Sequence, residues 1–598
     1  MSSRLLDLDH CDSLADDLRA GALCSTRGGR HAQVVANASP GIPPSLANRA
    51  PLTWVLQACE DRNLAGSDEL GEATRWWVQL WPWEVSMISV AFRMLNPLVR
   101  GARLLMAFSA AAAFVAAALL VFAAGASASS VRVRALRAIS PTPSLPHVRS
   151  CLDPAGGPPN VDLEPTLAVN PADANNLIAL WTRGQAGVPR RLAGGYAVTH
   201  DGGRMWTTGV PRHVDGCTGR PRYSASGASD GSVVFSPNGR RAYMLVESGR
   251  PITVGTAPGK VPGNTLWIYT STDDARSWSR PVRIVDASRT TGIPDQPRLA
   301  VDPAHPRRLY VFLRHIPPSA FTTGDISSTA ALSRSTDGGR SWSAPREIYA
   351  PPTSFPQLPF VQHPFVLADG TLLDVFDQQN FLNVVGLEHP AEVIAIRSRD
   401  RGRTWSTPVL IAAHSPLPYF ADPDGGPSAR ASDAASSAIA LDGTLYVAWG
   451  DRIGSRQLLR ILISKSRNGG RTWSTPRQVA RTTTAIAGPE LAVAGDGTVG
   501  VLYYDVRHDR PGDHFWTTDV YLADSHDGGG RWQETHLTGP FNLASSPNIG
   551  GKLFLGDYFG LTGLPHGFAA AFPIAKPKAI AGPTDIFFAH VSVRRPGH

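Results

Sequence analysis

Charge is scarce in this 598-residue chain: Asp, Glu, Lys and Arg together make up 18% of it, and no run of five or more Lys/Arg occurs. The formal charge of +8 and pI near 9.4 therefore describe a dispersed, solvated basic surface. A nucleic-acid footprint would be a clustered patch, so no nucleic-acid partner is expected. Cysteine is rarer still, with five in the whole chain. The usual short chemical signatures are also missing: there is no H-E-x-x-H, C-x-x-C or G-x-S-x-G. Gly255 to Val261 is one residue short of a P-loop and has Val where a Mg²⁺-binding Ser/Thr belongs. Asp422-Pro423-Asp424-Gly425-Gly426 begins like a calcium loop but lacks the later ligands and the closing Glu. His508, Asp509, Asp513 and His514 carry donor atoms without metal-ligand spacing. The expectation is no metal and no cofactor.

Glycine (57) and proline (50), in contrast, are plentiful, as in an all-β chain rich in turns. The organising stretch is Ser335 to Trp342, STDGGRSW, with relatives at Thr199–Trp206, Ser271–Trp278, Ser398–Trp405, Ser466–Trp473 and Ser525–Trp532. The key positions are Asp201, Asp273, Asp337, Asp400, Asn468 and Asp527, spaced 72, 64, 63, 68 and 59 apart. A regular period of that size means one supersecondary unit per copy. Within each copy the Asp or Asn side chain folds the backbone into a turn. The residue two places on, Gly in five copies and Ala275 in the other, takes positive φ, and the Trp returns to a strand. Each copy is read as a hairpin tip.

The pattern S/T-x-D-x-G-x-x-W resembles the Asp box of sialidase-like β-propellers, over roughly residues 161 to 598. The resemblance implies four-stranded antiparallel blades, with the Asp boxes as structural turns on the face away from any catalytic one. The residues agree: each unit opens on an apolar run (Leu167-Ala168-Val169, Leu299-Ala300-Val301, Leu491-Ala492-Val493), turns, and continues through three more short strands. First strands near 167, 233, 299, 365, 439, 491 and 553 favour seven blades, with six as the alternative. The seventh, placed at 553–555, 568–572 and 586–591, lacks an Asp box, and residues upstream of the first blade could supply its outer strand.

Ahead of the repeats, residues 1–93 show no sustained period, and residues 94–128 read as a secretory signal peptide. Arg100 and Arg103 precede the apolar Leu104–Ala124, and Ala126-Ser127-Ala128 is an A-x-A cleavage site. The expectation is that Met94 is the biological start and the domain is secreted. The alternative is a single membrane anchor, since 21 apolar residues can span a bilayer. Residues 129–160 are a Pro-rich linker. In an oxidising compartment Cys151 and Cys217 are expected to form a disulfide.

By the same resemblance, any chemistry is expected on the face opposite the Asp boxes. Arg183, Arg314, Arg452 and Arg507 end second strands and could bind a carboxylate or phosphate bidentately. Asp377, Asp451, Tyr504 and Asp505 are the candidate catalytic groups, and Asp215, Glu247, Asp557 and Tyr558 are further side chains of the same loops. Sialidases, by resemblance, would use an Arg triad, a Tyr nucleophile helped by a Glu, and an Asp acid. The first triad position here reads Val161 to Thr166 without Arg, and Thr182–Ala193 holds no carboxylate. The functional expectation is a glycoside hydrolase acting as a monomer on extracellular glycan. The alternative is a non-catalytic propeller that binds glycan or protein.

Overall fold

The computed structural model describes residues 130–140, 159–185, 193–214, 228–252, 261–286, 292–317, 328–352, 357–380, 390–416, 419–432, 434–453, 458–549, 551–576 and 583–594, plus five short strands within residues 5–79. The chain divides into two compact units, Met1–Ala126 and Ser127–His598. In the first, the five strands pair in sequence order. Cys151, Cys217 and the apolar stretch 104–124 lie outside the described residues.

The second unit is built of four-stranded antiparallel units, three of them separate sheets and the others joined into two eight-stranded sheets through single bridges, Val161 with Thr584 and Leu459 with Ala485. Among the described residues their first strands are Pro159–Asn170, Ala228–Phe235, Ile293–Val301, Gln357–Val366, Ser436–Ile439, Ala485–Val493 and Gly560–Leu564. Each is followed by a second and third strand in hairpin order. The fourth strand of the last sheet is not downstream: Ser130–Ala138 pairs antiparallel with Thr584–Arg594. Each first strand lies against that of the next sheet, and the last lies against Pro159–Asn170. The sheet that opens at Gly560 differs from the sequence reading, which began it at Leu553. Lys552–Leu553 instead joins a small separate sheet with Tyr419–Phe420, Ala429–Arg430 and Asn548–Ile549.

The second strands read as near-continuous apolar runs because both of their faces are covered. In Asp173–Gln185, Leu177, Ala179 and Trp181 pack toward Ala569, Ala571 and Phe588 of the last sheet. The alternate residues Ile178 and Leu180 pack toward Val233, Met244 and Trp267 of the next. The period-2 alternation of a strand thus sends every second side chain to each neighbour.

The tips lock these sheets together. In Ser335–Trp342, Asp337 Oδ1 accepts from the backbone N–H groups of Arg340 and Ser341, both at 3.0 Å, and from the Ser335 hydroxyl at 2.8 Å. The Gly339 N–H donates to Ser335 Oγ at 2.9 Å. The residue at Gly339's place has positive φ in every copy, and Ala275 adopts it too, at 67°. The Trp then reaches back to the preceding sheet. Trp206 meets Phe588 at 4.9 Å, Trp278 meets Tyr196 at 6.0 Å and Trp405 meets Phe312 at 6.0 Å, each edge-on.

Candidate functional site

Five of the seven first strands share one irregularity. Their pairing slips at Leu163/Thr166, Ser229/Gly231, Asp295/Arg298, Phe360/His363 and Ala487/Glu490. Bulges of this kind re-aim side chains. Three carry non-glycine residues in the left-handed region, Glu164 at φ 54°, Asp230 at 32° and Gln296 at 46°. Such strain persists only where the surroundings over-determine it, and it clusters at functional sites. All lie near the starts of first strands, opposite the tips that follow third strands.

Around these bulges a charged cluster assembles. The Thr182 hydroxyl donates to Glu164 Oε2 at 3.4 Å and accepts the Asp230 N–H at 3.1 Å. Glu164 Oε1 accepts the Asp557 N–H at 3.3 Å. Asp557 Oδ2 receives Arg430 at 2.8 Å, and Gln296 donates to it at 3.5 Å. The Tyr558 hydroxyl donates to Asp230 Oδ1 at 3.0 Å, and the Arg298 guanidinium covers the Tyr558 ring at 4.1 Å. Arg314 pairs with Asp295, its cross-strand partner. Glu247 takes a hydrogen bond from Asn264 at 2.5 Å. The small sheet with Ala429–Arg430 positions Arg430, whose side chain is 41% exposed and the most open of the three guanidinium groups.

Burial dominates the electrostatics here. It pushes Glu164 well above the usual carboxylate range, helped by the charges of Asp230 and Asp557. Glu247 is likewise raised by burial, then by Asp295 and Asp230. Asp230 rises to about 7, through burial first and the charge of Asp295 second, against the pull of Arg298. Asp557 is raised too, though Arg430 opposes its burial. Glu490, the next acid around the first strands, rises to about 7 through burial, although the Phe559 N–H and the Ser436 hydroxyl donate to it. His363 falls to about 3, by burial and then by Arg298, and is neutral.

Of the side chains singled out from sequence, Arg314, Glu247, Asp557 and Tyr558 meet in this cluster. The structure does not bring Arg183, Asp377, Asp451, Tyr504, Asp505 or Arg507 to it. Arg183 is buried in a two-point pair with Asp162, at 2.7 and 3.1 Å. Asp377 accepts from His414 and Gln379, each at 3.0 Å. Asp451 is held by Arg460 at 2.6 Å and by the Ser415 N–H at 3.0 Å. The backbone N–H of Arg452, beside it, donates to Ser415 O at 2.9 Å. Tyr504 is fully buried, its hydroxyl donating to Pro573 O at 2.6 Å. Arg507 joins Asp505 to Glu534, at 2.9 and 2.7 Å. These side chains sit on second strands and tie one sheet to itself or its neighbour. Glu164, Asp230, Asp295, Arg298 and Arg430 were missed. The signal available was a polar triplet immediately ahead of the Leu-Ala-Val run: Glu164-Pro165-Thr166, Gln296-Pro297-Arg298 and Gly488-Pro489-Glu490. A separate cavity of about 740 Å³, lined by Asp496, Leu564, Pro565 and His566 among others, lies toward the opposite ends of the strands.

The likeness is to sialidases. No protein-family model matches the chain and no curated protein matches it. Among solved structures it is similar to a leech intramolecular trans-sialidase, at 14% identity and TM-score 0.37, over 58% of this chain and 65% of that one. It is similar to Hadza microbial sialidase Hz136 at 16% identity and TM-score 0.36, over 73% and 65% of the two chains. Trypanosoma rangeli sialidase gives 14% identity and TM-score 0.37, over 78% and 59%. The chain thus spans less than two thirds of each of these structures. At such values the architecture rests on this chain's own strand pairing.

Proposed function

We propose that residues 130–594 form a seven-bladed, exported β-propeller that hydrolyses glycosidic bonds of extracellular glycan at the mouth opposite its Asp-box tips. The observation that carries the reading is the meeting of Glu164 and Asp557 with Arg298, Arg314 and Arg430 on one face. Two carboxyl groups in unlike surroundings are what glycoside hydrolysis needs. Among the described residues Glu164 has no cationic partner within hydrogen-bond reach, and it keeps its proton, so it is the donor to the glycosidic oxygen as the C–O bond breaks. Asp557, which Arg430 draws toward ionisation against its burial, is the partner that stabilises the developing positive charge while water completes the sugar. Arg430 orients hydroxyl or anionic groups of the substrate. The sequence resemblance of the six Asp boxes and the signal-like stretch at 94–128 support the exported, glycan-directed part of the reading.

Turnover of a panel of fluorogenic glycosides, a sialoside included, tests this. Glu164→Gln is expected to lower kcat at least 100-fold, most strongly for poor leaving groups. A second reading, glycan or protein binding without catalysis, is favoured by the burial of the pair: Glu164 is 9% exposed and Asp557 7%. Binding on a glycan array with no turnover on any glycoside would select it.

A further inference from the structure

The acids of this cluster outnumber its cations. Glu164, Asp230, Glu247, Asp295 and Asp557 face Arg298, Arg314 and Arg430, which is five carboxyl groups against three guanidinium groups, and four against three with Glu164 protonated. The imbalance is greatest at one point: carboxylate oxygens of Asp230, Glu247 and Asp295 all lie within 4.8 Å of one another. A buried charge without a partner costs several kcal/mol, so such a convergence needs a compensating group, either a proton or a bound cation.

Hydrogen bonding does not supply it. Glu247 is 2% exposed, and while its Oε1 accepts from Asn264, its Oε2 is buried without a hydrogen-bond partner. The Oδ1 of Asp557, 7% exposed, is buried without one as well. Among the described residues, Asp230 and Asp295 each have a single hydrogen-bonding side chain, Tyr558 and Arg314, which leaves part of each carboxylate available.

From this geometry we infer that Asp230, Glu247 and Asp295 bind one calcium ion. Oxygen-only donors suit a hard cation. An irregular carboxylate set drawn from two sheets suits calcium's flexible coordination better than the near-ideal octahedron that magnesium demands. The three ligands come from two successive sheets, Asp230 and Glu247 from one and Asp295 from the next. The ion therefore ties neighbouring sheets at the end opposite their Asp-box tips. No calcium-loop motif marks the site, because its ligands are spread over 66 residues (295 − 230 + 1).

Isothermal titration of calcium chloride into the chelator-treated full chain tests the inference. One ion per chain is expected, with at least 100-fold weaker binding in Glu247→Gln and in Asp295→Asn. Asp524→Asn, at a buried acid far along the chain, should bind as the parent does. Two isosteric variants keep the test readable if one of them fails to fold. No binding by the parent up to about 10 mM, roughly tenfold above the weakest extracellular calcium sites, would overturn the site. So would equal binding by Glu247→Gln and the parent, or binding of magnesium but not calcium. Glycoside turnover measured on the chelated protein is a separate readout, so loss of the ion and loss of the hydrolase reading are told apart.

Discussion

Replacing Asp337 by Ala isolates what one tip contributes. The change removes four hydrogen bonds: two from the backbone N–H groups of Arg340 and Ser341, one from Ser335, and one from the Ser341 hydroxyl to Oδ2 at 2.6 Å. Water reaches these donors, so each bond is taken at the low end of its net worth, about 0.5 kcal/mol, for a total near 2 kcal/mol. That corresponds to roughly 30-fold faster local opening. Asn468 sets the comparison within the same chain, since its Oδ1 accepts from Arg471 and Thr472 at 3.1 and 3.0 Å while its Nδ2 donates to the Thr472 hydroxyl. Asp337→Asn should therefore open less than about 5-fold faster, the loss of one charge-assisted bond. Amide exchange of the peptide spanning residues 335–342 reads both. The pH dependence has a definite sign. Burial opposes ionisation of Asp337, but the hydrogen bonds from Ser341 and Ser335 outweigh it and hold the carboxyl down at about 2. The depressed value means its contribution is present above the ordinary 3.8 and fades as pH falls toward 2. Exchange in Asp337→Asn as fast as in Asp337→Ala, or no acceleration in either, would refute the turn argument.

Arg183→Met leaves Asp162 buried without its cation and should cost about 3–5 kcal/mol in unfolding by denaturant, while the folded fraction keeps full glycoside turnover. Arg430→Ala should raise KM of the folded fraction about tenfold or more, and it should also lower unfolding stability, because the buried Asp557 loses its cation. Gly402→Ala puts a Cβ 2.3 Å from Leu332 Cδ2 at φ +81°. It should destabilise by about 1–3 kcal/mol, whereas Ala275→Gly at the equivalent place should change stability by less than about 1 kcal/mol. Glu490 is raised from 4.5 to about 7, so the native state holds a proton that the unfolded chain releases, and stability falls as pH rises across that window. Glu490→Gln should flatten the unfolding midpoint between pH 5 and 8, a gain of about 2 kcal/mol at the upper end.

The architecture was legible because its signal is local. The Asp or Asn, the small residue at positive φ and the Trp of each tip stand within eight residues, and six copies repeat the same geometry. The last sheet was harder to place. It has no tip, and its first strand, Gly560–Leu564, is less apolar than Leu553-Phe554-Leu555 just ahead of it. The site was legible only in part, because what gathers it is not local. Arg314 reaches the cluster through its cross-strand partner Asp295, and Arg430 through a two-residue strand that pairs with Leu553. Arg183, at the matching end of an earlier second strand, finds Asp162 directly opposite and goes no further. Position along a second strand gave the right end of the fold. Whether a guanidinium turned toward the cluster depended on which acid the facing strand presented.

Because Ser130–Ala138 lies alongside Thr584–Arg594, segments more than 440 residues apart in sequence become neighbours in one sheet. A ribosome making this protein releases the earlier segment long before its counterpart exists, so the edge of Thr584–Arg594 is covered only once both segments have been made. Until then the first-made segment must stay unpaired without joining another sheet's free edge. Trimming residues 130–138 or residues 584–594 should accordingly yield the same defect, an uncovered edge on the same sheet that invites strand exchange between molecules.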